Sequence, residues 1–185
     1  TKNVRDWKEI FDFGPVAEEG PMAGSVPQWP AGLPGFQAVI ESFYGAVQGV
    51  AEAILAGISS NLGMAPDHLG SCFGASHTSF LRLNYYPLCA SPGEHLGISQ
   101  HTDSGALTVL LADSQPGLQF FHGGQWHTVA PNPEALTINI GDIVQVWSND
   151  RYTAPLHRVL ANAEAERFSA PFFYNPDYRV DYAPL

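Results

Sequence analysis

Two hydrophobic periods divide the chain. From Gly35 to Leu62, apolar residues recur at three- and four-residue steps: Phe36, Val39, Ile40, Phe43, Val47, Val50, Ala51, Ile54, Leu55, Ile58 and Leu62. That spacing predicts a long amphipathic helix over about 35–62 with one broad buried face. Gly45, Gly49 and Gly57 lower its intrinsic propensity and predict close packing on a sheet. The Gly45-to-Gly49 spacing imitates a motif of paired membrane helices. Gln48 and Glu52 interrupt the stretch and no apolar run reads as membrane-spanning, so packing within the domain is the better reading.

After Pro66 the period drops to two. Runs over 78–86, 96–102, 106–112, 117–121, 125–130, 135–140, 143–147, 156–161 and 168–174 predict strands. Turn sequences separate them: Ser91-Pro92-Gly93, Gln115-Pro116-Gly117, Gly123-Gly124, Pro131-Asn132-Pro133 and Gly141-Asp142. A helix followed by a large β region gives an α+β fold, mainly β, as a sandwich or barrel with the helix buttressing one sheet. Residues 1–34 carry Pro15, Pro21, Pro27, Pro30 and Pro34 and read as an irregular segment. It packs through Trp7, Phe11, Phe13 and Trp29, with a short helix near Arg5–Phe11. A length of 185 residues without internal repeat favours one domain.

Composition narrows the function classes. The net charge of −10 argues against non-specific nucleic-acid binding, which needs basic surface. Two cysteines, Cys72 and Cys89, imply no disulfide framework and read as reduced thiols in a cytoplasmic protein. The N-terminal residues show no signal peptide, no membrane partner is expected, and the oligomeric state is not legible. With no initiator methionine, the chain reads as N- and C-terminally incomplete.

The candidate chemistry sits on the β region. His101 and Asp103 are two residues apart, so on a strand they face one side, with Thr102 turned away. His157 follows after 53 intervening residues, and must arrive from another strand. Two imidazoles and one carboxylate are the ligand set of the facial triad that binds non-haem Fe(II) with positions left open. By itself a His-x-Asp pair carries little meaning. In the run Leu81–Tyr86, the residues Arg82, Asn84 and Tyr86 share one face, which lines a cavity or forms a solvent-facing edge. Arg167 and Ser169 share a face ten residues beyond His157, and Arg forks onto carboxylates. His122 and His127 read as surface turn residues, Trp147 as core, Gly141-Asp142 as a turn, and Arg158 as a structural ion-pair partner.

Leu-Asn-Tyr-Tyr-Pro (83–87), His-Thr-Asp (101–103), Asn-Ile-Gly-Asp (139–142), Trp-Ser-Asn (147–149), His-Arg-Val (157–159) and Arg-Phe-Ser-Ala-Pro (167–171) occur in this order. The ordered set resembles the Fe(II)/2-oxoglutarate-dependent dioxygenases of the isopenicillin N synthase-like group, densely over 78–176. The resemblance implies a double-stranded β-helix, or jelly-roll, core over 78–176. It implies Fe(II) held by His101, Asp103 and His157, with 2-oxoglutarate on the metal. Its distal carboxylate would meet Arg167 and Ser169, assisted by Tyr86 and contacted by Asn84. Phe173 and Asn175 would touch the prime substrate, a small organic molecule. The implied reaction uses O2, oxidises 2-oxoglutarate to succinate and CO2, and hydroxylates, desaturates or cyclises the substrate. Two alternatives remain at this stage: an Fe(II) oxidase that does not use 2-oxoglutarate, and a non-catalytic ligand-binding jelly roll.

Overall fold

The computed structural model describes residues 5–15, 24 and 26–185. Among these described residues, nine strands and two α-helices follow in order: β1 Glu9–Phe13, α1 Phe36–Asn61, β2 Phe80–Tyr86, β3 Leu96–His101, β4 Leu107–Ala112, β5 Leu118–His122, β6 Gln125–Thr128, β7 Thr137–Ile140, α2 Asp142–Trp147, β8 His157–Leu160 and β9 Arg167–Tyr174. A 3-10 turn, Leu69–Cys72, follows α1. The strands form two sheets, a major one in the order β1-β2-β9-β4-β7 and a minor one in the order β3-β8-β5-β6. Every strand pairing in them is antiparallel. The chain crosses repeatedly between the two sheets, as in a jelly roll.

Alternation sorts the major sheet into two faces. Leu81, Leu107, Val109, Phe172 and Tyr174 turn outward and pack in one core with Ile40, Tyr44, Val47, Ala51, Leu55 and Ile58 of α1. Tyr44 meets Phe172 edge-to-face at 4.9 Å between ring centroids, and its hydroxyl donates to the Ser79 carbonyl at 3.3 Å. The opposite face carries Asn84, Tyr86, Arg167 and Ser169 toward the minor sheet. The helix thus anchors the sheet from behind, while polar residues share the space between the sheets with a small apolar cluster of Leu110, Leu118 and Val159.

Several sequence expectations change. The buried stripe of α1 is narrower than its apolar pattern: Val39 is 66 % exposed, because a flat sheet covers only one side of a helix. Nothing lies within 4 Å of a Cβ placed on Gly45, Gly49 or Gly57, so they serve no close packing. By length and composition alone, α1 is long and apolar enough to cross a membrane, yet its buried stripe is seated on the major sheet.

Arg5–Phe11 is no helix; Glu9–Phe13 is an edge strand whose backbone pairs with β2. Phe11 and Phe13 still pack on Trp29, at 5.8 and 5.1 Å, but Trp7 leaves that cluster to pack on His95. Pro21 lies outside the described residues. Residues 143–147 form a helix, not a strand, despite three β-branched residues. The first-turn N–H groups of α2 find acceptors in the turn after β3: Asp142 donates to the Asp103 carbonyl at 2.8 Å and Ile143 to that of Gly105 at 3.1 Å. Tertiary hydrogen bonds therefore override local β preference. Trp147 is buried as expected, and Cys72 and Cys89 are free.

Substitutions on the two sides of α1 have opposite signs. Gly49→Ala should stabilise the chain by about 0.5–1 kcal/mol, since the added methyl meets nothing and helix propensity rises. Leu55→Ala should cost about 2–5 kcal/mol, since Leu55 is 1 % exposed. Denaturant unfolding of both variants measures the difference.

Candidate active site

His101 ends β3 and His157 begins β8, and the two are register partners in the minor sheet. The pairing sets their rings side by side, with centroids 4.2 Å apart. Asp103 follows in the turn after β3, and its Oδ1 lies 3.6 Å from Nε2 of each histidine. One ligand atom from each of the three lies within 4.8 Å of the others. No other such cluster of histidine, cysteine and acidic residues occurs among the described residues.

Hydrogen bonds behind the cluster settle which atoms point inward. His101 Nδ1 lies 2.8 Å from the Ser99 carbonyl, and His157 Nδ1 lies 3.0 Å from the Pro155 carbonyl. A carbonyl only accepts, so each Nδ1 carries the proton and each Nε2 presents a lone pair. Asp103 is 4 % exposed. Its Oδ2 accepts from Thr108 Oγ1 at 2.7 Å and from Asn139 Nδ2 at 3.4 Å, leaving Oδ1 for the cluster. Burial, and secondarily the His157 ring, hold the His101 pKa below the ordinary imidazole value, against the opposing effect of the Ser99 hydrogen bond. Two imidazoles with their Nε2 atoms turned inward and a carboxylate on one side of a small volume are donors for a divalent metal.

The turn that carries Asp103 is locked from below. A Cβ on Gly141 would overlap the Gly105 carbonyl and sit 3.1 Å from that of Asp103. Only glycine lets α2 begin so close beneath that turn. Gly141-Asp142 is therefore the start of a helix that supports the site. Asp142 Oδ2 also accepts from Thr102 Oγ1 at 3.2 Å.

The cluster opens into a cavity of about 360 Å³ whose far wall is the inner face of the major sheet. Arg167, 2 % exposed, enters it from β9. Its Nε donates to the Gln115 carbonyl at 3.3 Å and its guanidinium lies 5.0 Å from the Tyr86 ring. Its Nη1 is buried with no partner, and no carboxylate lies within 4.0 Å of it among the described residues. Ser169 shares the face; its Oγ accepts from Asn84 Nδ2 at 3.3 Å, and Asn84 Oδ1 is also buried without a partner. Burial raises the Tyr86 pKa, and the charge of Arg167 offsets part of that rise. Tyr86 therefore keeps its hydroxyl proton as a donor. A Cβ on Gly97 would fall 2.8 Å from Tyr86 Cδ1, so β3 passes over this ring only with glycine there. A buried guanidinium with an orphaned N–H is costly until an anion completes it. The residues present thus fit a divalent metal at one end and a carboxylate-bearing co-substrate at the other.

Other candidates fall differently. Phe173 lines the cavity. Asn175 does not: its Nδ2 donates to the Thr78 carbonyl at 3.1 Å and its amide is wedged behind Gly105, so it supports the Asp103 turn from outside. Asn175 follows β9, past the point where alternation governs direction. Arg82 lines the wall but is held by two 2.7 Å bonds to Asp12. Arg158 makes no ion pair among the described residues; it donates to Gln119 Oε1 at 3.0 Å and lies 4.1 Å over Trp126. His122 and His127 are exposed on the β5–β6 hairpin. Thr108 and Asn139 were not singled out by the sequence reading, although Asn139 stands in the Asn-Ile-Gly-Asp motif and Thr108 alternates inward on β4.

A jelly roll with a two-histidine, one-carboxylate cluster facing a buried arginine defines a metal-dependent oxygenase type of site. The chain belongs to the 2OG-Fe(II) oxygenase superfamily, whose family model matches residues 77–176, more than half of its length. It is 39 % identical over 160 residues to jasmonate-induced oxygenase 2 of Arabidopsis thaliana, covering 85 % of this chain and 43 % of that protein. It is 36 % identical over 184 residues to flavanone 3-dioxygenase 2 of Oryza sativa subsp. japonica, covering 99 % of this chain and 52 % of that one. Among solved structures, JOX2 in complex with 2OG, Fe and JA matches with a TM-score of 0.88 at 36 % identity, over 97 % of this chain and 53 % of that chain. A full-length Neurospora crassa protein in complex with alpha-KG and thymine matches with a TM-score of 0.84 at 25 % identity, over 98 % of this chain and 57 % of that chain. The chain spans about half the length of the curated relatives it matches. The family uses Fe(II), 2-oxoglutarate and O2.

Two measurements probe this geometry. Protons compete with metal for His101 only on the acid side of the ordinary imidazole range. Competition at His101 should therefore weaken metal affinity as pH drops through and below that range. The metal-free fold should lose stability over the same interval, because the unfolded chain takes up the proton first. Thr108→Val should weaken metal binding about 10–100-fold by freeing the Asp103 carboxylate to rotate. Competitive titration with a chromophoric chelator reads both binding effects.

Proposed function

We propose that this chain carries the catalytic centre of a non-haem Fe(II) oxygenase that couples oxidation of 2-oxoglutarate to oxidation of a small organic substrate. The observation that carries the reading is the buried, unpartnered Nη1 of Arg167 in the same cavity as the His101, Asp103 and His157 cluster. In this reading Nε2 of His101 and His157 and Oδ1 of Asp103 hold the metal, and three protein ligands leave room for a bidentate keto acid and O2. Arg167 and Ser169 bind the distal carboxylate of 2-oxoglutarate, Tyr86 donates a further hydrogen bond, and Asn84 orients the Ser169 hydroxyl. Bound Fe(II) would supply the activation of O2 that converts 2-oxoglutarate to succinate and CO2. Asp103 and His157 are buried between the sheets, and Phe173 offers an apolar contact to the substrate. A cytoplasmic location belongs to this proposal and is supported by the two free thiols.

The small-molecule class is supported by the relatives: the two solved complexes hold JA and thymine. Where the substrate lies relative to the metal decides between hydroxylation, desaturation and ring closure.

Anaerobic addition of Fe(II) and 2-oxoglutarate should give a weak visible charge-transfer band. A folded, iron-loaded sample without it would defeat the reading. His101→Ala should lose iron. Arg167→Ala should keep iron and weaken 2-oxoglutarate binding by about tenfold or more, as loss of one partner of a buried charged pair does. Turnover that persists with 2-oxoglutarate omitted would instead identify an oxidase.

A further inference from the structure

Apart from Arg167, two cations line the cavity, Arg82 and Lys8, and neither belongs to the metal cluster. Lys8 immediately precedes β1. Continuing the register past the Glu9–Tyr85 pair sets Lys8 opposite Tyr86, on the inner side of the sheet with Asn84 and Arg82. It lines the same cavity as His101 and Phe173, and its side chain is only 14 % exposed. Its nearest carboxylate is Asp6, whose Oδ2 stands 4.0 Å from Nζ, outside hydrogen-bond reach. Asp6 Oδ1 is already taken by the Ser99 backbone N–H at 2.9 Å and its hydroxyl at 3.0 Å. Arg82, the neighbouring cation, is paired with Asp12 through two 2.7 Å bonds. Among the described residues, the three N–H donors of Lys8 therefore have no acceptor. Burial also lowers the Lys8 pKa, as expected of an ammonium short of solvation.

Asp6 stands at the limit of an ion pair and leaves those donors free, so an anion entering the cavity would complete the ammonium. The co-substrate end needs no further charge: a divalent metal with Asp103, and a dicarboxylate with Arg167, are together neutral. Lys8 faces what volume remains, whose apolar walls include Ile98 and Phe173. We propose that Lys8 selects the substrate class: the prime substrate is a small organic acid whose carboxylate accepts hydrogen bonds from Lys8 Nζ while its apolar body reaches the metal cluster. This deepens the oxygenase reading and rests on it. Lys8 is a specificity residue; it transfers no proton.

The test is calorimetric titration of the anaerobic Fe(II) and 2-oxoglutarate complex with phenylacetate, 4-phenylbutyrate and octanoate, each against its primary amide. Acids should bind about tenfold or more tighter than amides. Lys8→Met, which keeps the apolar stem, should abolish that preference, and Lys8→Arg should retain it. Affinity for 2-oxoglutarate should stay within about twofold in both variants, and equal melting temperatures check that they fold. Equal binding of acids and amides, or of none, overturns the proposal. So does a preference that survives in Lys8→Met, or a loss of 2-oxoglutarate as large as the loss of the acids. The acid-against-amide comparison needs no turnover. It reads Lys8 even where 2-oxoglutarate fails to bind, an outcome that counts against the oxygenase reading alone.

Discussion

A buried carboxylate is tolerated only when its lone pairs are met. Asp103 satisfies this on one oxygen: Thr108 and Asn139 donate to Oδ2, while Oδ1 turns to the two histidines. The rest of the site depends on this asymmetry. If both oxygens were bonded to protein, the cluster would be a structural knot. If neither were, the carboxylate would rotate and the three donors would not converge. The donors to Oδ2 come from β4 and β7 of the major sheet, while His101 and His157 belong to the minor sheet. One side chain thereby fixes the distance between the two halves of the domain.

The same constraint reaches outward through backbone. Asp103 and Gly105 offer their carbonyls to the first turn of α2, Gly141 permits that approach, and Asn175 closes the turn from the other side. Trp147, at the end of α2, is buried in the core that α1 forms with the major sheet. A long helix with no residue in the cavity is thus joined to the metal cluster through packing and backbone hydrogen bonds.

Much of this was legible in the chain. The two-residue period located the strands to within a few residues, and the same rule set Asn84 with Tyr86, and Arg167 with Ser169, on shared faces that the structure turns inward. The failures have particular causes. Ile143, Val144 and Val146 favour strand by side chain, but the helix there is decided by acceptors more than 35 residues away. Gly45 and Gly49 looked like packing residues because spacing alone cannot tell which side of a helix meets the sheet. Asn175 looked inward because it follows Arg-Phe-Ser, yet it stands beyond the strand. Lys8 lay in a stretch read as helix, and its inward direction emerges only from the register with β2.

The cavity is a seam: one wall belongs to each sheet, with His157 on one and Arg167 on the other. A molecule that engages both acts as a rivet between the layers, and its binding free energy adds to the stability of the closed pair by mass action. A chain whose sheets have parted brings neither the three donors nor the arginine together. Under the proposed function, oxidising chemistry would then be confined to molecules already folded, and a damaged copy would disarm itself by coming apart.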